Sequence, residues 1–285
     1  MRPVTRRSPA CRIFALAAAF AVCQFSGGIA VRADTVLPIF SMENFAPGTV
    51  IDNQYFPLGE DYRATIHAEG VDDEGEEFEE ESQLSFGGPG REILGVQTTT
   101  QLDEAFEDGV IVERTFDYYA QDIFGNVWYM GEDVTNFIYD DDVLIETNDD
   151  SAWIAGENGA LPGYIMPAAI DIGFAYYQEF AAADEALDEA EIYGLGLTLE
   201  IGESIFENVL QILETTLLDP EAREFKYYAP GVGLIRVEED LDENYENPGL
   251  VFNIVKPAVI PLPSAFGLLF GSLLVLGTIR RRKLH

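Results

Sequence analysis

The feature that most constrains the fold is a stretch from Thr98 to Thr147 in which strand-like segments alternate with tight turn sequences. It reads TTTQLDEAFEDGVIVERTFDYYAQDIFGNVWYMGEDVTNFIYDDDVLIET. Asp108-Gly109 is a strong signal for a two-residue hairpin, and Gly125-Asn126 marks a second turn. Strands rich in Val, Thr, Tyr and Phe between such closely spaced turns predict an antiparallel meander.

Further hairpins extend this pattern along the chain. Asp140 to Asp142 separates two apolar segments, and EFKYYAPGVGLIRVEED places Gly231 and Gly233 at the turn of another hairpin. The segment SIFENVLQILETTLL, residues 204–218, fits both a helical and a strand spacing, and periodicity alone leaves that choice open. We therefore predict a mainly β fold built from antiparallel strands.

The N-terminus carries the three parts of a secretory signal peptide. Basic residues such as Arg6 and Arg7 precede an apolar core, Ile13 to Cys23, which is too short to span a bilayer. Small residues then mark a predicted cleavage bond between Ala33 and Asp34, with Ala30 as the competing position. A buried helix or an uncleaved anchor is the alternative interpretation of this segment.

Cleavage at this bond would leave the mature chain without cysteine. Cys11 and Cys23 both precede Ala33, so we expect no disulfide, no thiolate metal site and no cysteine nucleophile. The fold would then depend on burial and backbone pairing alone.

The segment that follows is strongly acidic. All 51 Asp and Glu residues lie between residues 34 and 279, together with seven Lys and Arg, which gives this segment a formal charge of −44. Such a surface repels nucleic acid, whose binding depends on basic side chains that neutralise phosphates. Because hydrophobic residues make up 47% of the chain and aromatic residues 12%, we expect the acidic side chains to coat a folded core rather than to mark disorder.

The C-terminus combines an apolar span with a basic end. Residues 257–279 carry no charge over a length that is sufficient to cross the hydrocarbon layer. The basic residues 280–283 would stay on the cytoplasmic side and leave the acidic domain outside. Pro261 and Pro263 stand near the outer end of this predicted transmembrane helix. A plain membrane anchor does not require them, because proline resists entry into a helix.

Three parts follow one another in this tail: a Pro-x-Pro step, a Gly- and Leu-rich span and a basic cluster. The residues of the first and last parts are Ile260, Pro261, Leu262, Pro263, Ser264, Arg280, Arg281, Arg282 and Lys283. The tail resembles PEP-CTERM sorting signals, in particular the variant in which Leu replaces the central Glu. A plain single-span anchor is the alternative.

That resemblance implies a route to the cell surface. It implies partnership with the export machinery and with an exosortase, a membrane-embedded transpeptidase of Gram-negative bacteria that make extracellular polysaccharide. The precursor would reside transiently in the inner membrane with its domain in the periplasm. The mature form would be at the cell surface or in the extracellular matrix, where extracellular polysaccharide is a further candidate partner.

These features divide the chain into five segments. They are a signal peptide (1–33), an N-terminal lead segment (34–53), an extracytoplasmic β domain (54–239), an acidic spacer with a last strand (240–256) and the C-terminal sorting signal (257–285).

The middle of the chain carries a second resemblance. GNVWYMGED, GALPGYIMPA and EFKYYAPGVGLIRV are similar to segments of secreted bacterial β domains of uncharacterised function. The hairpin YAPGVGL is also similar to hairpins of curved, open sheets such as the half-barrels of lipoprotein carriers. The resemblance implies an antiparallel curved sheet or half-barrel meander, and it implies no activity, because fold does not carry function.

Residues arranged for catalysis are scarce. His67 is the one histidine outside the tail, where His285 lies, and a serine-histidine-acid site would need it. No nucleophile elbow, dinucleotide loop or phosphate loop occurs. With so many carboxylates, pairs at glycosidase-like spacing are uninformative. We predict no catalytic residue, no cofactor and no enzymatic activity.

Calcium is the metal that the acidic composition favours, because it prefers oxygen ligands. Asp240, Asp242 and Asn244 begin like an EF-hand loop. Tyr245 stands where that loop needs Gly, and Val251 where it needs the bidentate Glu. We therefore predict no dedicated metal site and leave weak calcium binding as an alternative.

The function that these features favour is structural or adhesive, as a non-enzymatic surface or extracellular-matrix protein. The rival is an extracytoplasmic binding module in which a curved sheet holds an apolar or carbohydrate ligand. Ordinary packing in the core is the alternative role for the aromatic side chains concerned. The candidate ligand-lining residues are Tyr118, Trp128, Tyr129, Tyr227 and Tyr228.

Overall fold

The computed structural model describes residues 35–48, 50–72, 75–140 and 142–256. The predicted signal peptide, its cleavage bond and the whole sorting signal lie outside these ranges. Inside them the one helix is a short 3₁₀ turn, Met42–Asn44, and no helix has the length and apolar character needed to cross a membrane.

Seventeen strands account for most of the described chain. The first nine are β1 Ile51–Asn53, β2 Phe56–Leu58, β3 Arg63–Val71, β4 Glu77–Ile93, β5 Val96–Glu107, β6 Val110–Gln121, β7 Val127–Asp140, β8 Val143–Asn148 and β9 Trp153–Ile154. The others are β10 Leu161–Met166, β11 Ala175–Tyr177, β12 Glu179–Phe180, β13 Asp188–Ile201, β14 Ser204–Thr216, β15 Arg223–Ala229, β16 Gly233–Glu239 and β17 Leu250–Lys256.

Fifteen strands form one sheet, in the order β11-β13-β14-β15-β16-β17-β3-β4-β5-β6-β7-β10-β12, with β8 and β9 paired to β7 beside this path. β1 and β2 form a separate hairpin. Neighbouring strands pair antiparallel throughout the path, for example β4 with β5 and β13 with β14. The prediction of a mainly β, antiparallel fold is confirmed.

The predicted turns lie where the sequence placed them. Asp108 and Gly109 adopt φ values of 48° and 78° between β5 and β6, and two positive φ angles are what a two-residue type I′ hairpin requires. The ambiguous segment is strand β14. It pairs with β13 on one side and β15 on the other, and this long-range pairing decides against the helix.

The sheet curves further than the half-barrel that we expected. Its two terminal strands, β11 and β12, are separated in the chain by Gln178 alone, so the two ends of the sheet meet there. Gly163 in β10 makes this approach possible. An added Cβ would lie against the Tyr177 carbonyl oxygen and 2.5 Å from that of Gln178. The sheet is therefore nearly closed, with a seam between β10 and the β11–β12 segment.

The segments on either side of the predicted β domain pack into the same sheet. The Val36 amide donates to the Ala175 oxygen (2.9 Å), and the Tyr177 amide donates to the Val36 oxygen (3.1 Å). The ring of Phe40 packs edge-on against that of Trp128, with centroids 5.6 Å apart. β17, from the segment 240–256, lies between β16 and β3 and joins two meanders into one surface.

The interior of the curved sheet is apolar over one part and polar over another. Ile66, Ile212, Val237 and Phe252 are buried in one hydrophobic core. Val237 pairs directly with Lys226, however, and Lys226 pairs with Ile212. Directly paired residues share a face of the sheet, so a lysine lies on the same inner face as this core.

The expectation that acidic side chains coat the core is wrong for a substantial set of them. Along β6 the polar members of the alternation, Glu113, Thr115 and Asp117, are buried, whereas Phe116 is 39% exposed. Period-2 alternation fixes which residues share a face, but not which face turns inward. Here the curvature encloses the polar face. The buried acidic residues are Asp103, Glu113, Asp117, Asp122, Glu179, Glu189, Glu214 and Glu239.

Candidate functional site

A cavity of about 640 Å³ lies inside the curved sheet. This volume is within the range of small-molecule sites. Twelve acidic and two basic residues contribute to its lining. The lining includes Asp103, Asp117, Tyr119, Tyr129, Glu132, Gln178, Glu179, Asp188, Glu214, Glu224, Lys226, Tyr228 and Glu239.

Lys226 on β15 is the central cation of this cavity. Its Nζ donates to Glu214 Oε2 at 2.6 Å and lies 3.0 Å from Glu224 Oε1. Desolvation disfavours the charged lysine, but Glu214 and Glu224 outweigh it and raise the Lys226 pKa well above its ordinary value. Gln178 Nε2 donates to Glu214 Oε1 at 3.0 Å. This network therefore connects the middle of the sheet to the residue that joins its two ends.

Tyr129 on β7 lies between two carboxyl groups. Its Oη is 2.6 Å from Asp117 Oδ1 and 2.8 Å from Glu132 Oε2. A phenol carries one proton, and a carboxylate carries none. Both contacts can be hydrogen bonds only if one carboxyl group is protonated and donates to Tyr129. A protonated carboxyl group at one of the two positions would therefore satisfy both contacts.

A bulge in β7 brings both side chains to the inner face. Tyr129 pairs with Tyr119 and Glu132 pairs with Asp117, and the register shifts between these pairs. Gly131 within the bulge has a φ of 138°, a conformation that side chains rarely adopt. An added Cβ would also lie 2.5 Å from the Trp153 oxygen of β9.

Burial raises the pKa values of the cavity carboxyl groups. It raises the pKa of Asp117 and of Asp188 to about 6, and that of Glu224 to about 7. Asp103 and Glu179 have pKa values well above the ordinary value for the same first reason, with nearby carboxylates adding to the effect. Asp117, Asp188 and Glu224 therefore contribute stability that is fully present below their unfolded pKa, near 4, and that is lost as pH rises through about 6–7.

The pH dependence of stability can be measured at a single buried carboxyl group, that of Glu113. Its Oε1 accepts from Thr115 Oγ1 at 3.0 Å, its Oε2 has no hydrogen-bond partner among the described residues, and burial raises its pKa to about 7. Glu113→Gln removes the ionisable group and keeps the shape. We expect it to raise the free energy of unfolding by about 3 kcal/mol at pH 8 and by less than about 1 kcal/mol at pH 5.

Urea unfolding of the protein and the variant at both pH values tests this expectation. The matched control is Glu203→Gln, at an exposed glutamate in the β13–β14 turn, which should change stability by less than about 0.5 kcal/mol at either pH. An equal gain at pH 5 and pH 8 would show that ionisation of Glu113 is not the cause.

The structure places the five predicted ligand-lining residues in different environments. Tyr129 and Tyr228 line the cavity. Trp128 is buried against Phe40, Phe45 and Tyr164, and its Nε1 donates to Asp122 Oδ2 at 2.9 Å.

The other two lie on the opposite face of their strands. Tyr118 donates to Asp133 Oδ2 at 2.6 Å beneath the guanidinium of Arg91. Tyr227 donates to Glu238 Oε2 at 2.7 Å. Whether any of the five contacts a ligand stays a prediction.

Sequence reasoning missed Lys226 and the carboxyl groups around it. One signal was available: Lys226 is one of only seven basic residues in the acidic segment, and it stands within the apolar and aromatic run Phe225 to Ala229. A solvated lysine does not need such neighbours, and a buried lysine requires acidic partners.

Two groups of acidic residues are relevant to the alternative of weak calcium binding. Asp242 Oδ1 accepts from the amides of Asn244 and Glu246, so the EF-hand-like segment is a local turn. Among the described residues, one set of His, Asp and Glu side chains has three ligand atoms within 4.8 Å of one another, and it comprises His67, Glu69 and Glu79. Glu69 and Glu79 are exposed, and the set does not line the cavity.

No protein-family model matches the sequence, and no curated protein matches it. One similar solved structure, a protein from Bacteroides fragilis described as exported and as having a YmcC-like fold, is 11% identical. The match covers 72% of this chain and 99% of that chain at a TM-score of 0.35. Another, described as a lipoprotein from Parabacteroides distasonis, is 12% identical over 72% and 98% of the two chains at a TM-score of 0.33. At these TM-scores the likeness does not establish a shared fold.

Proposed function

We propose that the chain is an exported, non-enzymatic binding module whose cavity holds an organic cation with amine groups. The observation that carries this proposal is the imbalance of charge inside the sheet, where twelve acidic residues and two basic ones line one cavity. A cationic ligand is the electrostatic complement of such a lining. It would offset the desolvation and mutual repulsion that raise the pKa values of the buried carboxyl groups.

The same lining argues against the other ligands that the sequence left open. An apolar ligand would remove water from the carboxyl groups without offering them a partner, which is costly. A neutral sugar could hydrogen-bond to them but would leave their charge uncompensated. A single metal ion needs several oxygen ligands around one point. Among the described residues the one such convergence, at His67, Glu69 and Glu79, lies outside the cavity.

Isothermal titration of spermidine into the purified protein tests the proposal. At pH 7.5 and constant ionic strength we expect saturable binding with one site per chain. Glucose, laurate and an equal ionic strength of sodium chloride should not reproduce it. Absence of saturable binding, or equally strong binding of glucose or laurate, would contradict an organic cation as the ligand.

Two triple variants separate the cavity from the general negative charge of the surface. Asp103→Asn/Asp188→Asn/Glu239→Gln removes three ionisable acids from the lining and should weaken spermidine binding by at least about tenfold, or 1.4 kcal/mol. Glu200→Gln/Glu203→Gln/Glu207→Gln removes three exposed charges in and around the β13–β14 turn and should change the affinity by less than about threefold. Equal losses in the two variants would indicate surface attraction alone.

We propose in addition that the tail sends this module to the cell surface or the extracellular matrix through an exosortase. The Pro-x-Pro step, span and basic cluster of residues 260–283 support this route. In a host that encodes an exosortase, the protein should be shortened and leave the inner membrane, and in the same host without that gene it should stay there at full length. Immunoblots of fractionated cells measure this. Equal length and membrane residence in both hosts would indicate a plain anchor.

A further inference from the structure

We propose that the end of the curved sheet from which the tail leaves lies against a lipid bilayer, and that an exposed apolar patch on this end inserts into the headgroup region. The proposal requires residues 257–279 to be inserted in the membrane, as both the sorting route and a plain anchor imply. It is independent of the ligand proposed for the cavity. The apolar patch consists of Ile39, Met42, Leu94, Ile123 and Phe124.

Strand directions show which turns share an end with the tail. β17 ends at Lys256, and neighbouring strands along the sheet run antiparallel, so successive connections alternate between two ends. The end at which β17 finishes, which we call the tail end, therefore also holds the β4–β5, β6–β7, β13–β14 and β15–β16 turns. The loop between β10 and β11 lies there too.

The N-terminal segment joins two of these turns into one surface. The Ile123 amide in the β6–β7 turn donates to the Asn44 oxygen at 2.9 Å. Met42 packs on the β4–β5 turn, where an added Cβ at Gly95 would lie 2.5 Å from Met42 Sδ. The members of the apolar patch are therefore neighbours in space, although they come from three separate parts of the chain.

The same segment is packed on the core on one side and exposed on the other. The rings of Phe40 and Phe45 pack against Trp128, with centroids 5.6 Å and 6.1 Å away. Ile39, next to Phe40, is 91% exposed, and Phe124 is 65% exposed. A cluster of exposed apolar side chains on a packed scaffold marks a contact surface for a protein or a membrane.

The short connection to the tail favours the membrane. Residues 257–279 carry no charge and follow Lys256 directly. A span needs about 20 residues, which leaves about three residues, or about 10 Å, to connect it to the sheet. If the chain through Pro263 stays outside the span, its seven residues still reach at most about 25 Å. The bilayer therefore faces the apolar patch at high effective concentration.

The distribution of charge between the two ends favours the same orientation. Connections at the opposite end include DDEGEE (72–77), DDD (140–142) and DLDENYENPG (240–249), whereas LG (94–95) and PGV (230–232) at the tail end carry no charge. An acidic surface is repelled by anionic headgroups and is costly to desolvate. Glu221 and Asp240 of the acidic end line the cavity, so this orientation leaves that side of the cavity in water.

Spin labels can measure this orientation in the full chain, reconstituted through its tail into phosphatidylcholine vesicles. Cys11→Ser/Cys23→Ser removes both native thiols. A label is then placed by Phe124→Cys in the apolar patch, or by Leu144→Cys at an exposed position of β8 near the acidic end. Oxygen concentrates among the acyl chains, and a nickel chelate stays in water. We expect the oxygen-to-chelate accessibility ratio to be at least about threefold higher at 124 than at 144.

Removing the apolar side chains should release the tail end from the bilayer. With a label at Ile39→Cys, Ile123→Ser/Phe124→Ser should lower the accessibility ratio at least about twofold, because interfacial binding scales with buried apolar area. The matched control, Val143→Ser/Leu144→Ser, removes two exposed apolar side chains from the β7–β8 hairpin and should leave the ratio unchanged.

Flotation of the vesicles shows first whether the tail is inserted. A water-exposed label at 124 in chains that float, or equal effects of the two double variants, would overturn the proposal and leave the sorting route and the cation-binding function intact. Chains that do not float would overturn tail insertion, and with it both this proposal and the sorting route, without affecting the cation-binding function.

Discussion

Replacing Lys226 with methionine should destabilise the fold by about 3–5 kcal/mol at pH 8, because it leaves Glu214 and Glu224 buried without their cation. The side chains of Lys226 and Glu214 are 12% and 8% exposed, so water cannot take over the role of the ammonium. A loss of this size lowers the melting temperature of a domain this large by roughly 6–20 °C. Thermal and urea unfolding measure it.

Two measurements distinguish the loss of the buried positive charge from the loss of side-chain packing. One uses a variant in which the two acids are also neutralised, and the other compares stability at two pH values. Lys226→Met/Glu214→Gln/Glu224→Gln has no charge left to bury and should regain most of the stability, as replacement of buried ion pairs often does. Lys226→Met alone should be less destabilised at pH 5, because burial raises the pKa of Glu224 to about 7 and this partner can take up a proton there. If the triple variant is as unstable as the single one, the loss comes from packing and not from charge.

Gly163→Ala should destabilise the protein by about 3 kcal/mol, which lies at the upper end for overpacked sites. The new methyl group would lie against two backbone carbonyl oxygens, those of Tyr177 and Gln178. No side-chain rotation relieves a contact with backbone, so the seam between β10 and the β11–β12 segment has to open. Hydrogen exchange should then become faster in residues 161–180 than in the β3–β4 hairpin.

Gly59→Ala is the matched control for that substitution. Nothing lies within 4 Å of a Cβ at Gly59, and its φ is not positive, so the change should leave stability within about 0.5 kcal/mol of the original value. If Gly163→Ala is as neutral as Gly59→Ala, the seam is not closed as tightly in solution as in the structure. The spermidine affinity of Gly163→Ala reports whether a closed seam matters to the cavity.

Local chemistry made part of the fold predictable. The turn at Asp108-Gly109 requires two positive φ angles, and those residue types adopt them at low cost, so sequence alone placed the hairpin. The strand identity of 204–216 was not predictable in this way. Its spacing suits two structures, and the pairing with β13 and β15 that decides between them involves residues 188–201 and 223–229.

The candidate site depended on tertiary structure for a similar reason. Period-2 alternation places Glu113 and Asp117 on one face of β6, yet the usual expectation turns the apolar face inward. Only the curvature of the whole sheet decides which face is enclosed. Of the predicted aromatic residues, Tyr129 and Tyr228 reached the cavity because they share the inner face with Lys226 or Asp117.

The sequence by itself determined the antiparallel β character, the positions of the hairpin turns and the absence of cysteine after residue 33, because each follows from residue types within a few positions of one another. Tertiary structure alone decided that the sheet nearly closes, that an acidic face lines its interior, and that Glu214 and Glu224 meet Lys226. The physical reason is that closure and burial are set by contacts between distant strands. The energy of a charge depends on those contacts and not on its neighbours in the chain.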